Sequence, residues 1–298
     1  MFLFILIFLS LTEATFGKEI SQDAILPYNG KKEREFALSY GVKKLPVLLE
    51  YTTEKCTIHY IGAKHSFNIK SETHQVIKKE IEDFNPEFMI LEGFENRGNL
   101  KFWENVVKQT DNVSRYAAFG EPIYAMYLAT RKNTPFCSGE PFNKDIFKHL
   151  KDKGFSKDDI ALYYVLRQIP QAYERKEVTP ENLSFFINGF LQSIDELKGY
   201  DFKTCNILFK KLTKKSLSLE AVTERILREL FPELFQEINT FRDVSILKTL
   251  AEKSKKYKKI LIIYGASHIY TQNEVLEELF GKPKIIDMDL LLGDNNKI

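Results

Sequence analysis

Two segments far apart in this chain share one design: an apolar strand, a glycine, a small residue, one variable residue and a histidine. The first is IHYIGAKHS, residues 58–66, and the second is ILIIYGASHI, residues 260–269. A strand that is apolar along its whole length has no face to offer water. It belongs inside a sheet covered on both sides. The glycine is expected to allow a sharp turn or a positive φ as the chain leaves the sheet. Three residues on, each histidine can reach back over the strand ends. A lone histidine of this kind is read as capping a helix or bonding a loop carbonyl; two in matching contexts, 203 positions apart, point to a shared site, with His65 and His268 converging.

The rest of the pattern supplies the sheet. Val47–Tyr51 and Thr57–Ile61 read as strands with Glu54 and Lys55 in the turn between them. Ser71 is placed to cap a helix with Ile77, Ile81 and Phe84 on one face, and Pro86 closes it off. Phe88–Leu91 is a buried strand running into Glu92-Gly93, followed by a polar helix around Phe102–Gln109. A helix over Pro122–Arg131 and a strand over Pro135–Ser138 come next, then Gly139-Glu140-Pro141. From 143 to 240 helical periods dominate, at Ile146–Leu150, Asp158–Arg167, Glu181–Leu197 and Leu219–Leu230, punctuated by Pro170, Pro180 and Pro232. This stretch is expected to be a helical insertion or lid. Strand–helix alternation then returns: a helix over Arg242–Lys256, the strand Ile260–Tyr264, a helix over Gln272–Leu279 and a strand over Lys284–Met288. The expected class is α/β, a central largely parallel or mixed sheet flanked by helices, with the insertion between its two halves. One domain over residues 45–290 accommodates all of it.

In such sheets ligands collect at the carboxyl ends of the strands, and the acids fall there too. Glu92 ends the strand FMIL, where a carboxylate is costly unless it faces a ligand, a metal or an arginine. A salt bridge to Arg97 is its ordinary structural explanation. Glu121 opens a helix, where the helix dipole alone favours an acid. Glu140 repeats the strand–glycine–acid context. Arg242 and Asp243 are expected to begin a helix; Arg242 suits an oxyanion or carboxylate clamp, and Asp243 reads as a first-turn acid. His59 is expected as a partnered core residue, His74 on the inward stripe of its helix and His149 at the surface.

Of the 298 residues 44% are hydrophobic and 28% charged, ordinary values for a globular chain, and the net charge is only +2. The lysines are dispersed, so nothing marks a nucleic-acid binder. Cys56, Cys137 and Cys205 form no C-x-x-C, which disfavours a cysteine zinc site; one disulfide with a free thiol and three free cysteines both stay open. G-x-S-x-G, H-E-x-x-H, a phosphate-binding Gly-Lys-Ser/Thr and GxGxxG are all absent. That argues against a serine hydrolase, a zincin, an NTPase and a dinucleotide enzyme. Phe2 to Leu11, FLFILIFLSL, has the length of a signal-peptide core, with Ala14 and Gly17 before a possible cleavage point. Residues 1–17 are read as an export signal, implying a secreted or periplasmic protein that meets the membrane only if this segment stays uncleaved.

The ordered set of motifs resembles the TraB/PrgY–Tiki family, grouped more widely with erythromycin-esterase-like and ChaN haem-binding proteins. The order is G-x-x-H after a strand, MILEGFENRG, FGEPIYAMYLA, FRDVSIL and the second G-x-x-H. The resemblance implies a pocket of paired histidines, glutamates and an arginine, here His65, His268, Glu121, Glu92 and Arg242. It also implies divalent-metal-dependent peptidase activity in Tiki members and inhibition of peptide pheromones in TraB/PrgY members. The departure is at Gly139-Glu140-Pro141, where bacterial relatives carry an Asp-Arg pair. The expected function is therefore hydrolysis of a peptide or ester bond. His65, Glu121 and His268 would hold Mn²⁺, Co²⁺ or Zn²⁺, Glu92 and Arg242 would act in catalysis, and Tyr270 and Glu140 would contact the substrate. A metal-free enzyme using one histidine as base, a haem or small-ligand binder, and a relative that sequesters a peptide without turnover are the alternatives.

Overall fold

A computed structural model describes residues 20–27, 30–95, 105, 113–117 and 119–292. The apolar run Phe2–Leu11, Arg97 and all but Asn105 of the helix expected around Phe102–Gln109 lie outside them. The strands are β1 (Val47–Thr52), β2 (Thr57–Ala63), β3 (Phe88–Glu95), β4 (Phe136–Glu140), β5 (Lys259–Gly265) and β6 (Lys284–Ile286). They form one six-stranded sheet in the order β4-β3-β5-β2-β1-β6. β5 pairs in parallel with β2 on one side and β3 on the other, and β3 in parallel with β4. β1 is antiparallel to both β2 and β6. The mixed α/β sheet expected from the strand pattern is thus what the chain forms, and the carboxyl ends of its four parallel strands share one edge.

Both faces of the sheet are buried, as strands without a polar face require. On one face Ile58, Tyr60, Ile90, Ile260, Ile262 and Tyr264 pack with residues of α10 (Pro232–Lys253) and α11 (Ala266–Phe280). Phe36 of α1 (Gly30–Tyr40) joins them. On the other face Ile61, Met89, Leu91, Leu261 and Ile263 meet α2 (Glu72–Asp83), α3 (Val113–Ala117) and α4 (Glu121–Lys132). Met288 of α12 (Met288–Leu292) closes this second layer. The alternation along β5, Ile260, Ile262 and Tyr264 to one side and Leu261 and Ile263 to the other, is the period of two made visible.

The chain divides into two compact units, residues 1–141 with 240–298, and residues 142–239. The second unit falls where the helical insertion is expected. It contains α5 (Asn143–Asp152), α6 (Lys157–Glu174), α7 (Leu183–Gln192), α8 (Phe202–Thr213) and α9 (Glu224–Leu230), with the first turns of α10. Within it Phe147 packs on Tyr164, and Tyr163 meets Phe231 edge-on. Among the described residues no helix is long and apolar enough to cross a membrane.

Several elements differ from the reading of the sequence. Pro170 does not interrupt a helix but lies inside α6, which runs on to Glu174 at the cost of one backbone bond. α10 begins at Pro232, not Arg242, so Arg242 and Asp243 sit in mid-helix. α11 begins directly after Gly265, which puts His268 in its first turn. α1 and α8 were not foreseen. Ser71 caps α2 as expected, accepting from the His74 N–H. All three cysteines are free, Cys56 and Cys205 buried and Cys137 half-buried.

Gly139 of β4 shows how tightly the strand ends are packed. A Cβ there would lie 2.9 Å from the Tyr264 hydroxyl and 3.0 Å from Cα of Ile246. That hydroxyl accepts from the Gly139 N–H at 3.0 Å and donates to the Leu91 carbonyl at 3.2 Å, tying β4, β5 and β3 together. Gly139→Ala is therefore expected to destabilise the protein by about 1–3 kcal/mol. Gly189→Ala, at an exposed position of α7 with nothing within 4 Å, is expected to stabilise by about 0.5–1 kcal/mol. Urea midpoints of the two variants check the contrast.

Candidate functional site

The parallel pairing of β2 and β5 lays the two histidine motifs side by side, with Gly62 opposite Tyr264 and Ala63 opposite Gly265. Their glycines are there for space. Gly265 has φ −53°, open to any residue, but a Cβ on it would lie 2.8 Å from His65 Nε2. A Cβ on Gly62 would meet Ile269 and Val47 side chains at 2.7 Å and the Ala266 backbone at 3.3 Å. Each motif's glycine thus makes room for the other motif. The positive φ expected at these glycines is replaced by close approach.

Glu92 lies between the histidines. β3 loses register with β4 between Leu91 and Glu95, and Gly93 has φ +87°. Such an irregularity re-aims a side chain. The Gly265 N–H donates to Glu92 Oε2 at 2.6 Å, and His268 Nε2 faces Oε1 at 3.5 Å. The point that a Gly265 Cβ would occupy is 3.4 Å from Glu92 Oε2, so His65 Nε2 and Glu92 share that spot. Burial by itself would push the Glu92 carboxyl up. The hydrogen bond from His268 and the charges of His268, His65 and Arg242 outweigh it and hold Glu92 well below the usual carboxylate range.

Each imidazole has its own carboxylate on the other ring nitrogen. His268 Nδ1 is 2.5 Å from Asp243 Oδ1, and Asp243 also accepts from Thr271 Oγ1 at 2.6 Å and Gln272 Nε2 at 2.7 Å. Tyr60 donates to Gln272 behind them at 3.1 Å. Burial opposes a charged His268, but Asp243 and then Glu92 overcome it and raise its pKa to about 10. His65 Nδ1 faces Glu121 Oε2 more loosely, at 3.5 Å, while Glu121 Oε1 accepts from the Ser66 N–H. Glu121 is positioned by Gly120, whose φ of +92° turns the chain into α4. The Glu121 contact raises His65 to about 9 against burial. The side chain of His65 is 64% exposed and that of His268 only 7%, so His65 is the histidine a ligand can reach.

Arg242 completes the cluster. Its Nε and Nη2 bond Glu140 Oε2 and Oε1 at 2.7 and 2.8 Å, and Nη2 lies 3.6 Å from Glu92 Oε1. The charge partner at Glu140 is therefore the late arginine itself. So held, Arg242 orients Glu92 and does not project toward solvent.

The structure thus brings together His65, Glu92, Glu121, Glu140, Arg242 and His268. It leaves Tyr270 elsewhere: its ring packs 5.2 Å from Phe36, lining a cavity of about 330 Å³ with Leu26, Tyr40, Asn273 and Glu277. Asp243 is the site residue that the sequence understated; its place beside Arg242 and ahead of the apolar run Val244–Leu247 was the available signal. The remaining histidines have structural partners. His59 is clamped by Glu80 at 2.5 Å and Glu50 at 3.2 Å, His74 bonds Ser71 at 2.8 Å, and His149, half-buried instead of exposed, bonds Glu237 at 2.6 Å.

A carboxylate behind each imidazole is also what metal-bound histidines carry. Yet among the described residues no three His, Cys, Asp or Glu side chains are grouped to hold an ion. Glu121 serves His65 and the Ser66 backbone and is not grouped with His268. Ring nitrogens facing carboxylates form an arrangement that suits proton transfer. No protein-family description, curated protein or solved structure matches the chain.

A histidine with a raised folded pKa stabilises the fold fully below its unfolded value near 6.5, and that stabilisation is lost as the pH climbs through about 10. Asp243→Asn removes the largest source of the increase. The His268 resonance is then expected to titrate well below 10 by NMR. Urea denaturation at pH 7 is expected to show a loss of about 3–5 kcal/mol, the cost of breaking a buried pair.

Proposed function

We propose that this protein is a hydrolase of peptide or ester bonds working by acid–base catalysis at the strand-end cluster. The observation that carries this reading is the pair of imidazoles, each backed by a buried carboxylate at Nδ1 and turned by Nε2 toward Glu92 and Gly265. The order of motifs that resembles the TraB/PrgY–Tiki group supports it, and the apolar run Phe2–Leu11 supports an exported protein, secreted or periplasmic.

His65 is the accessible group and serves as general base. When neutral it takes a proton from water, and the water oxygen attacks the substrate carbonyl carbon. Glu121 holds the ring and favours the imidazolium that forms. His268, kept protonated by Asp243 and Glu92, is buried away from the substrate, and its charge holds Glu92 in place between the two imidazoles. Collapse of the tetrahedral intermediate breaks the bond to nitrogen or oxygen, and the proton on His65 passes to the leaving group. Arg242 and Glu140 are positioning residues, acting through Glu92.

Two consequences follow from the raised pKa values. The rate is expected to rise as His65 loses its proton, towards about 9, and to fall beyond about 10 as His268 loses its own. On a panel of p-nitrophenyl esters and peptide anilides, His65→Ala is expected to lower kcat about 10²–10⁴-fold, with the alkaline rise abolished. Unchanged turnover in His65→Ala and His268→Gln sinks the reading. Loss of wild-type activity on chelation, restored by Mn²⁺, Co²⁺ or Zn²⁺, assigns the reaction to a divalent ion instead.

A further inference from the structure

Over the whole chain the lysines are scattered, but one exposed helix face gathers them. From Phe202 to Leu219 the sequence holds five lysines and no acid, while acids outnumber bases in the rest of the helical unit. α8 buries Cys205 and Phe209 completely. At about 100° per residue, its opposite side carries Lys203, Ile207, Lys210 and Lys211, all exposed. Ile207 is 59% exposed. Lys203 lies four residues before it, and Lys210 and Lys211 lie three and four after, so three ammonium groups ring one aliphatic side chain. Exposed Lys214 follows one turn beyond Lys210.

Other helices of this protein answer their exposed cations with acids one turn on. Lys31 lies 3.7 Å from Glu35 on α1 and Lys79 2.7 Å from Asp83 on α2. Lys148 lies 2.6 Å from Asp152 on α5, and Arg225 2.7 Å from Glu229 on α9. On α8 no acid among the described residues pairs with Lys203, Lys210 or Lys211. The acid at its start, Asp201, is used as the cap and accepts from the Thr204 N–H at 2.7 Å. Side-chain amides hold the helix in place: Asn188 Oδ1 of α7 accepts from the Phe202 N–H, and Asn206 Oδ1 from the Leu217 N–H, each at 2.7 Å. Phe185, 81% exposed, stands one turn before Asn188 and therefore beside the start of α8. A single exposed apolar side chain is ordinary. One ringed by unanswered ammonium groups on a fixed helix matches a surface that is anionic outside and apolar within.

We propose that this face of α8 docks on an anionic lipid bilayer, with the lysines against the headgroup phosphates and Ile207 at the boundary with the acyl chains. A polyanion such as a nucleic acid answers the same charges but offers Ile207 only hydrated phosphates, whereas a bilayer also covers it. Each lysine near such a surface strengthens binding about fivefold, and salt screens the attraction. The surface is independent of the hydrolase reading and stands or falls without it.

The test measures partition of the full chain onto phosphatidylcholine vesicles with and without phosphatidylglycerol. Wild type is expected to prefer the anionic vesicles by about a hundredfold, fivefold for each of three lysines, and to lose the preference in high salt. Lys203→Gln/Lys210→Gln/Lys211→Gln is expected to abolish it with the melting temperature kept, since these side chains lie outside the core. Vesicle binding through the apolar run Phe2–Leu11 depends little on headgroup charge and is common to wild type and variant. A second measurement is local to α8. Ile207→Trp on anionic vesicles of brominated lipid is expected to be quenched beyond the parent chain, which has a single tryptophan. A preference that persists in the triple variant, or Ile207→Trp emission quenched no more than the parent's, overturns the docking. Tighter binding of wild type to duplex DNA than to anionic vesicles overturns it in favour of a nucleic acid.

Discussion

A guanidinium buried in the interior must be answered by charge, and Arg242 is answered twice. Glu140 grips it through two hydrogen bonds of 2.7 and 2.8 Å, and Glu92 lies beyond at 3.6 Å. An unpaired buried charge costs several kcal/mol, so these side chains are held together or not at all. One residue on, Asp243 gathers His268, Thr271 and Gln272 onto the same stretch of α10. Consecutive residues of one helix thus anchor β4 and β3 through Arg242 and α11 through Asp243. The carboxyl edge of the sheet takes its shape from these two buried side chains.

The division between what could be read in the chain and what could not follows the range of the forces. Apolar strands ending in glycine are local patterns, and β2, β3, β4 and β5 were legible within a few residues. The insertion was legible because helical periods dominate it from end to end, between its prolines. α1 and α8 escaped because each buries little: Phe36 alone in α1, Cys205 and Phe209 in α8. The start of α10 escaped because its apolar residues are spread around the helix, so no stripe announces it. Among the site residues, His65, His268, Glu92 and Glu121 were visible from their strand-end or helix-start contexts. The pairing of Arg242 with Glu140 joins residues far apart, and nothing local encodes it. Asp243 was read as a first-turn acid because the helix was started ten residues late.

The cluster also shows how one carboxylate can be kept charged in the interior. Glu92 has a backbone amide, an imidazolium and a guanidinium around it, each positioned by a different element: Gly265 at the end of β5, His268 in the first turn of α11, Arg242 in mid-α10. In turn the two imidazoles keep opposite exposures. One is sealed with its acid in the interior and the other stands at the surface over a glycine. Tetrapeptides that differ in sequence at a single residue thereby become unlike groups, one tuned by burial and the other by access.

β5 lies between β2 and β3 in the sheet although it follows both by well over a hundred residues. Until it inserts, β2 and β3 have no shared ladder, and His65 and Glu92 have neither Gly265 to rest against nor His268 to share charge with. Of the four parallel strands the central one is therefore the last to be available as the chain is made, and its contacts are among the most distant in sequence, a topology that folds slowly. A site built this way is not assembled in halves. Its histidines and acids come together only when the sheet is closed through its middle.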